Sequence, residues 1–415
     1  MLQHRDTIVT MGKKLIVRFW PVLVLVILFT ASVALRWNSF AINPVTDHKW
    51  TQFQRFDNLE VFEHVHYVGQ VYDANPVGIH KFAGYIGKSD QFLTNTKLGT
   101  DGYTLSVYTS FPPTHFVVLY EALRLFGSDI SFFSMQIFSL VLHLVCVGMV
   151  FWLAMTLTKR NKYVSFLVAT TYIFSAATLW QHMNVFWAHQ LLMPVFLGSL
   201  ILFIKRKGLF NRWEALTLGF GMALIAWTGF IAVIGYVLYA AFTYYKTRNK
   251  AYFSYIYMLG GAVGALVAVV SQALWVTNAN FGDYLNYLTT RVSARSGGVQ
   301  KLPLAQLIWY FVNDLLIEFG VYALIAYTLA VAQKLKDFEW AILFVATFPV
   351  IESFLLLEHD QVYGFARLKW FVPILVLLAI CGAKYATTTK RKVVLGVAVA
   401  LANLVGILGY FTIYW

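Results

Sequence analysis

Residues 130–156 read ISFFSMQIFSLVLHLVCVGMVFWLAMT and contain no Asp, Glu, Lys or Arg. A bilayer core about 30 Å thick is crossed by roughly 20 apolar residues of α-helix, so this stretch predicts a transmembrane helix. We predict an all-α polytopic membrane protein of about eleven such helices, arranged as a single domain over residues 1–415. The other ten runs are 15–35, 162–182, 185–204, 212–229, 230–246, 252–276, 316–333, 338–357, 369–386 and 391–412.

The overall composition indicates a membrane protein and argues against nucleic-acid binding. Of the 415 residues, 59% are hydrophobic and 12% are charged, and a soluble chain of this length could not bury so much apolar surface in one core. The 32 Lys and Arg outnumber the 19 Asp and Glu, which reflects membrane topology, because basic residues collect in cytoplasmic loops. Cys146 and Cys381 lie inside apolar runs, so no disulfide framework is expected.

The short apolar run 114–126 determines the predicted topology. It is too short to cross a bilayer and follows two prolines, so we interpret it as an amphipathic helix at the membrane interface. With this helix left out of the count, twenty of the 32 basic residues fall on the side of the N-terminus, which the positive-inside rule makes cytoplasmic. These residues lie within 5–18, 159–162, 205–212, 246–250, 334–336 and 384–392.

This topology makes residues 36–129 a large external loop between the first span and the spans of residues 130–412. The loop holds nine of the 19 acidic residues, so we expect the functional site on the external face. Within 53–65, apolar residues recur every three to four positions, which predicts a second interfacial, juxtamembrane helix.

Polar residues gather at the start of that second helix. Asp47 is interpreted either as a helix cap or as a carboxylate that accepts a proton from a substrate hydroxyl, and the two roles are compatible. The neighbouring polar and amphipathic residues either anchor the helix in the headgroup layer or bind substrate. They are His48, Trp50, Gln52 and Gln54.

Polar residues inside or beside the spans suggest further candidates. His182, Asn184 and His189 are interpreted as satisfied intramembrane groups. Asp314 and Glu318, four residues apart, share one helix face and should repel each other unless they are paired or protonated. No histidine pair has convincing zinc-ligand spacing apart from the weak pair His64 and His66, so no metal site is predicted.

Three segments resemble the GT-C superfamily of polyprenyl-phosphate-sugar-dependent glycosyltransferases, especially bacterial relatives of protein mannosyltransferases and of the lipid A aminoarabinose transferase. The first is an acidic residue followed by His-x-Trp-x-Gln, at residues 47–52. The second is the Pro-Pro interfacial helix ending in Phe-Gly, at residues 108–127. The third is the external motif before a late span, with His359, Asp360, Tyr363 and Pro373.

The resemblance implies an inverting hexosyl- or pentosyltransferase of the cell membrane, specifically a bacterial inner membrane. Asp47 would be its general base, with Asp57 in reserve. The donor would be a sugar on polyprenyl phosphate, because nucleotide sugars are absent outside the cytoplasm. The acceptor would be a glycan, lipid or protein. No cofactor is expected, and a divalent metal is left open. Arg367, Lys369, Arg291 and Arg295 would bind the donor phosphate, and His48, Trp50, Gln52, Gln54, His359, Asp360 and Tyr363 the substrates.

Two alternatives to this enzyme remain open from the sequence. One is an O-antigen ligase or polymerase, although such proteins carry their large external loop late in the chain. The other is a transporter or flippase for a lipid-linked glycan, although transporters tend to have repeated halves and discontinuous helices at the middle of the membrane.

Overall fold

The computed structural model describes residues 2–39, 70–73, 93–95, 105–108, 112, 114–127, 132–184, 186–277, 280–293, 296, 303–357 and 364–413. Helices dominate the described residues. They are α1 (Leu2–Leu35), α2 (Thr114–Leu125), α3 (Phe132–Leu157), α4 (Lys162–Phe174), α5 (Ala176–Asn184), α6 (Ala188–Lys205), α7 (Arg212–Ile225), α8 (Trp227–Thr247), α9 (Ser254–Thr277), α10 (Phe281–Ser293), α11 (Leu304–Val331), α12 (Asp337–Thr347), α13 (Ile351–Leu355), α14 (Phe371–Tyr385) and α15 (Thr389–Ile413).

The predicted all-α polytopic architecture is confirmed. Eight helical segments of the described chain are long and apolar enough to cross a bilayer, and a ninth is formed if α4 and α5 count as one bent span. The apolar part of α1, Phe19–Leu35, and the 14-residue helix α7 are shorter than that criterion requires. The predicted number of eleven therefore stays a prediction, although each predicted run contains helix.

One end of the bundle, which we call the basic side, carries the loops rich in Lys and Arg. Here the Lys384 ammonium donates to the Glu339 carboxylate at 2.5 Å and to the Lys334 carbonyl at 2.8 Å. The Tyr163 hydroxyl, at the start of α4, donates to the Lys392 carbonyl at 2.7 Å. These contacts join loops that the positive-inside rule assigned to one side of the membrane.

The opposite side carries the short elements that connect spans. Helix α2 lies where the sequence predicted an interfacial helix, and Leu119 and Leu123 pack it against Met135 and Phe186. The predicted helix over 53–65 lies outside the described residues. The first loop also contributes a small antiparallel sheet that the sequence did not predict, ordered β1 (Gln70–Asp73), β3 (Leu105–Tyr108) and β2 (Leu93–Asn95).

Two local features shape the bundle. Helices α4 and α5 meet at Ser175 with a bend of 57°, which interrupts one span. Helices α7 and α9 approach so closely that a Cβ atom on Gly219 would collide with the backbone of Met258. Glycine is required at this crossing because two backbones in such contact leave no room for a side chain.

Candidate functional site

Ionisable side chains are buried together around a 3₁₀ segment at Gly364–Trp370, towards the side of the bundle that lies opposite the basic side. We call this group the carboxylate–cation network. It joins helices α6, α8, α11 and α13 to the segment that precedes α14. Its members are His189, Thr228, Asp314, Glu318, Glu352, Arg367 and Lys369.

Arg367 bridges the two carboxylates of α11. Its Nη1 lies 2.6 Å from Asp314 Oδ2, and its Nη2 lies 2.9 Å from Glu318 Oε1. The sequence predicted that these carboxylates would repel each other unless paired or protonated, and the guanidinium provides the pairing. The two ends of this bridge differ in burial, because the side chain of Asp314 is 31% exposed and that of Glu318 only 2%.

Lys369 has a different carboxylate partner. Its ammonium donates to Glu352 Oε2 at 2.8 Å, and the Thr228 hydroxyl donates to the same oxygen. Because the Thr228 hydrogen is used in that bond, His189 Nε2, 2.9 Å from Thr228 Oγ1, acts as the donor to Thr228. A cavity of about 10 Å³ beside His189, Thr228 and Lys369 is about the size that one water molecule needs.

The charges of this network bear on its chemistry. Three carboxylates, those of Asp314, Glu318 and Glu352, face the two cations Arg367 and Lys369. Burial of an ion is costly unless a partner compensates it, and each cation here has such a partner. An anionic ligand that approaches Arg367 or Lys369 must therefore replace a carboxylate or bind beside it.

A second buried group, the arginine–histidine cluster, consists of Arg36, His143, Tyr172 and His182. Arg36 ends the first span with its side chain fully buried, donating to the Leu179 carbonyl at 3.3 Å and to His143 Nδ1 at 3.4 Å. His143 then carries its hydrogen on Nε2, which donates to the Tyr172 carbonyl at 3.3 Å. The rings of His143 and His182 stack with centroids 4.5 Å apart.

His182 also lies with its Nε2 3.3 Å from the Tyr172 hydroxyl, and its role as a satisfied intramembrane group stays a prediction. The same cluster closes the break between α4 and α5. The Thr178 hydroxyl donates to the Tyr172 carbonyl at 2.6 Å, and the Ser175 and Thr178 side chains are fully buried. The backbone exposed by the bend is thus bonded to side chains of the bundle.

The sequence did not single out Arg36, His143, Thr228 or Glu352. A signal for His143 and Glu352 was present, because each is a polar or ionisable residue within a predicted span, and such residues are expensive in a membrane. Their partners could not be read from the sequence, since Glu352 bonds residues 124 and 17 positions away in the chain.

Of the predicted site residues, the structure places Arg367 and Lys369 on one 3₁₀ segment, each paired with its own carboxylates. Arg291 lies on α10, and its side chain is outside the described atoms. Among the residues that the structure describes, no group of three or more His, Cys, Asp or Glu side chains could hold a metal ion. The other predicted residues lie outside the described residues; they are Asp47, His48, Trp50, Gln52, Gln54, Asp57, Arg295, His359, Asp360 and Tyr363.

The fold is similar to that of solved archaeal oligosaccharyltransferases. The apo structure of the Archaeoglobus fulgidus enzyme aligns with 94% of this chain at a TM-score of 0.56 and 12% identity. The A. fulgidus enzyme AglB in complex with an inhibitory peptide and a dolichol-phosphate aligns with 95% at a TM-score of 0.58 and 14% identity. The A. fulgidus enzyme tethered to an acceptor peptide containing the NVT sequon gives the same values.

This similarity shows that the chain shares the fold of these membrane oligosaccharyltransferases, in agreement with the architecture that the motif resemblance implied. The chain spans 55–56% of the length of these archaeal enzymes. No model of a known protein family matches the sequence, and no curated protein does.

Proposed function

We propose that this chain is a GT-C glycosyltransferase that moves a sugar from a polyprenyl-phosphate donor to an acceptor hydroxyl. The observation that carries the proposal is the shared fold over 95% of the chain with an oligosaccharyltransferase solved with a dolichol-phosphate. The motifs at residues 47–52, 108–127 and 359–373 support it independently, because they were read from the sequence alone.

In the proposed reaction, the Asp47 carboxylate takes the proton of the acceptor hydroxyl, and the oxygen attacks the anomeric carbon of the sugar. The bond between that carbon and the phosphate oxygen breaks with inversion, and its electron pair leaves on polyprenyl phosphate. Asp57 is the reserve for the base. Positive groups near the leaving phosphate stabilise its developing charge.

Two of the four proposed phosphate ligands, Arg367 and Lys369, lie in the carboxylate–cation network. Arg367 is the better placed of these two to bind a phosphate. Its partner Asp314 is 31% exposed, whereas Glu352, the partner of Lys369, is 3% exposed. A phosphate can therefore compete for Arg367 from the accessible side. We propose that Lys369, Arg291 and Arg295 also bind the donor phosphate.

The remaining site residues and the location are proposed from the motifs. His48, Trp50, Gln52, Gln54, His359, Asp360 and Tyr363 contact the sugar or the acceptor. The N-terminus is cytoplasmic, and the site faces the external compartment of a cell membrane such as a bacterial inner membrane. A cysteine in place of Ser89 should react with an impermeant thiol reagent on intact cells, whereas one in place of Arg160 should not. The reverse result would invert the topology.

Asp47→Asn tests the mechanism. Loss of a general base lowers the rate by about 10²–10⁴-fold, so the purified variant should release polyprenyl phosphate at least a hundredfold more slowly than the wild type. Asp57→Asn is the matched control in the same loop and should keep most of the activity. Full activity of Asp47→Asn would remove the assignment, and loss confined to Asp57→Asn would transfer it to the reserve residue.

A transporter or flippase is the second candidate, because the broken span at Ser175 is a feature of transporter folds. In transporters, however, such breaks expose backbone groups to an ion or substrate, whereas here Thr178 and His143 bond the Tyr172 carbonyl. Lipid-linked sugar that crosses proteoliposomes without chemical change would favour transport. Transfer that requires a preformed lipid-linked polymer as donor would favour an O-antigen ligase or polymerase.

A further inference from the structure

Helix α10 is a 13-residue helix that the sequence reading did not predict, between the spans α9 and α11. Its residues divide into two faces. At 100° per residue, Phe281, Leu285 and Val292 fall within about 40° of one another, and the polar Asn286 and Thr290 fall on the far side. The helix is therefore amphipathic.

Among the residues that the structure describes, only part of its apolar face is covered. Tyr284 is 1% exposed and packs on Ala273 of α9, with Leu288 beside it. Phe281, Leu285 and Val292 are 59%, 49% and 52% exposed. A strip of three large apolar side chains is thus left without cover among the described residues, and we call these three residues the α10 strip.

The contact with α9 fixes the level of α10 along that span. Ala273 lies four residues before the end of α9 at Thr277, which is about 6 Å along a helix axis that rises 1.5 Å per residue. Val270, one turn deeper on α9 and packed against the same Ala273–Tyr284 cluster, lies about 10 Å from that end. Interfacial helices insert their apolar faces about 5–10 Å into the boundary between headgroups and acyl chains.

The surface below this contact is apolar as well. Val267, one turn deeper on α9 than Val270, is 59% exposed, and Val263, one further turn below, is 44% exposed. Helix α9 is long and apolar enough to cross a bilayer, and apolar side chains exposed on such a span face acyl chains. Through the contact of Tyr284 with Ala273, the α10 strip lies near the level where the span ends.

We propose that α10 is an interfacial helix and that phospholipid is the partner of the α10 strip. Phe281, Leu285 and Val292 insert at the boundary between headgroups and acyl chains, and Asn286 and Thr290 face water. The loop between α9 and α11 is thereby held on the membrane surface. This inference is independent of the proposed glycosyltransferase activity.

Site-directed spin labelling of the full chain tests this placement. Single cysteines are introduced as Leu285→Cys and Val292→Cys in the strip, and as Asn286→Cys and Thr290→Cys on the polar face. The native Cys146 and Cys381 are buried, and unlabelled wild type measures any background. The labelled proteins are reconstituted in vesicles of phosphatidylcholine and phosphatidylglycerol, with Val267→Cys as the lipid-embedded reference.

Collision with oxygen, which concentrates in lipid, is then compared with collision with a water-soluble nickel chelate. The ratio of oxygen to nickel accessibility should be several-fold higher at 285 and 292 than at 286 and 290, and highest at 267. Equal nickel access on both faces would overturn the proposal. Immobilised labels at 285 and 292 that neither reagent reaches would also overturn it, because a protein surface would then be the partner.

A second measurement covers any labelled variant that elutes as aggregate. The single-cysteine variants that do not aggregate are labelled with a bimane fluorophore and reconstituted with phosphatidylcholine that is brominated near its headgroup. The bromine should quench a bimane at position 285 or 292 more strongly than one at position 286 or 290. Equal quenching on the two faces would contradict the lipid assignment.

Discussion

Replacing Lys369 by methionine removes the cation that compensates Glu352, a carboxylate 3% exposed in the interior of the bundle. The Nζ to Oε2 distance of 2.8 Å gives a Coulomb attraction of about 6 kcal/mol at an effective dielectric constant of about 20. Part of this attraction offsets the desolvation of the two ions. Deleting one partner of a buried pair still costs about 3–5 kcal/mol, because the other charge stays buried alone.

The assay is reversible unfolding of the purified chain in mixed micelles, followed by tryptophan fluorescence as the fraction of denaturing detergent rises. Lys369→Met should lower the free energy of unfolding by about 3–5 kcal/mol. Arg206→Met is the control, since its partner Glu214 lies at 2.5 Å but the Arg206 side chain is 53% exposed. Removal of such an exposed pair should cost about 0–1 kcal/mol.

The double variant Lys369→Met, Glu352→Gln separates charge from packing. Neutralising Glu352 removes the uncompensated ion, so the double variant should recover most of the stability that the single variant loses. A loss for Lys369→Met no greater than that for Arg206→Met would refute the buried ion pair. Recovery absent from the double variant would show that Lys369 stabilises the bundle through contacts other than Glu352.

Two further predictions concern packing, each with a control on the same helix. Gly219→Ala should destabilise the chain by about 1–3 kcal/mol or more, because the new Cβ meets the backbone of Met258. Gly221→Ala, with no atom within 4 Å of its Cβ position, should leave stability unchanged or raise it by about 0.5–1 kcal/mol; equal effects would contradict the close crossing of α7 and α9. Leu119→Ala, at 0% exposure, should cost about 2–5 kcal/mol and loosen α2, measured as faster amide exchange there. Leu125→Ala, at 81% exposure, should change neither the stability nor the amide exchange of α2. Equal amide-exchange rates of α2 in the two variants would show that α2 is not docked.

The membrane-spanning architecture was predictable because each span is a local property of the sequence. The 26-residue helix α3 starts and ends within two residues of the predicted run 130–156. Helix α2 was predictable for a similar reason, since two prolines and a short apolar run mark an interfacial helix. Helix α10 was missed because polar residues interrupt its apolar ones and leave no continuous apolar run, and its contact with α9 through Tyr284 and Ala273 forms only in the folded chain.

The candidate site was predictable only as a set of residue types. Positive charge at Arg367 and Lys369 indicated anion binding, but the carboxylates that pair them come from α11 and α13, which are distant in sequence. Pairing of this kind depends on tertiary packing, which no single segment specifies. The motif around Asp47 and the motif at His359–Tyr363 lie outside the described residues, so their roles rest on the sequence resemblance and on the shared fold.

Release of polyprenyl phosphate is the most direct test of the proposed glycosyltransferase activity. The purified chain is incubated with polyprenyl-phosphate sugars and an extract of cell-envelope acceptors, with and without divalent metal, and lipid products are identified by mass spectrometry. We predict stoichiometric formation of polyprenyl phosphate and glycosylated acceptor, abolished by Asp47→Asn. Intact donor under every condition, while the same preparation moves that donor across proteoliposomes, would contradict the account.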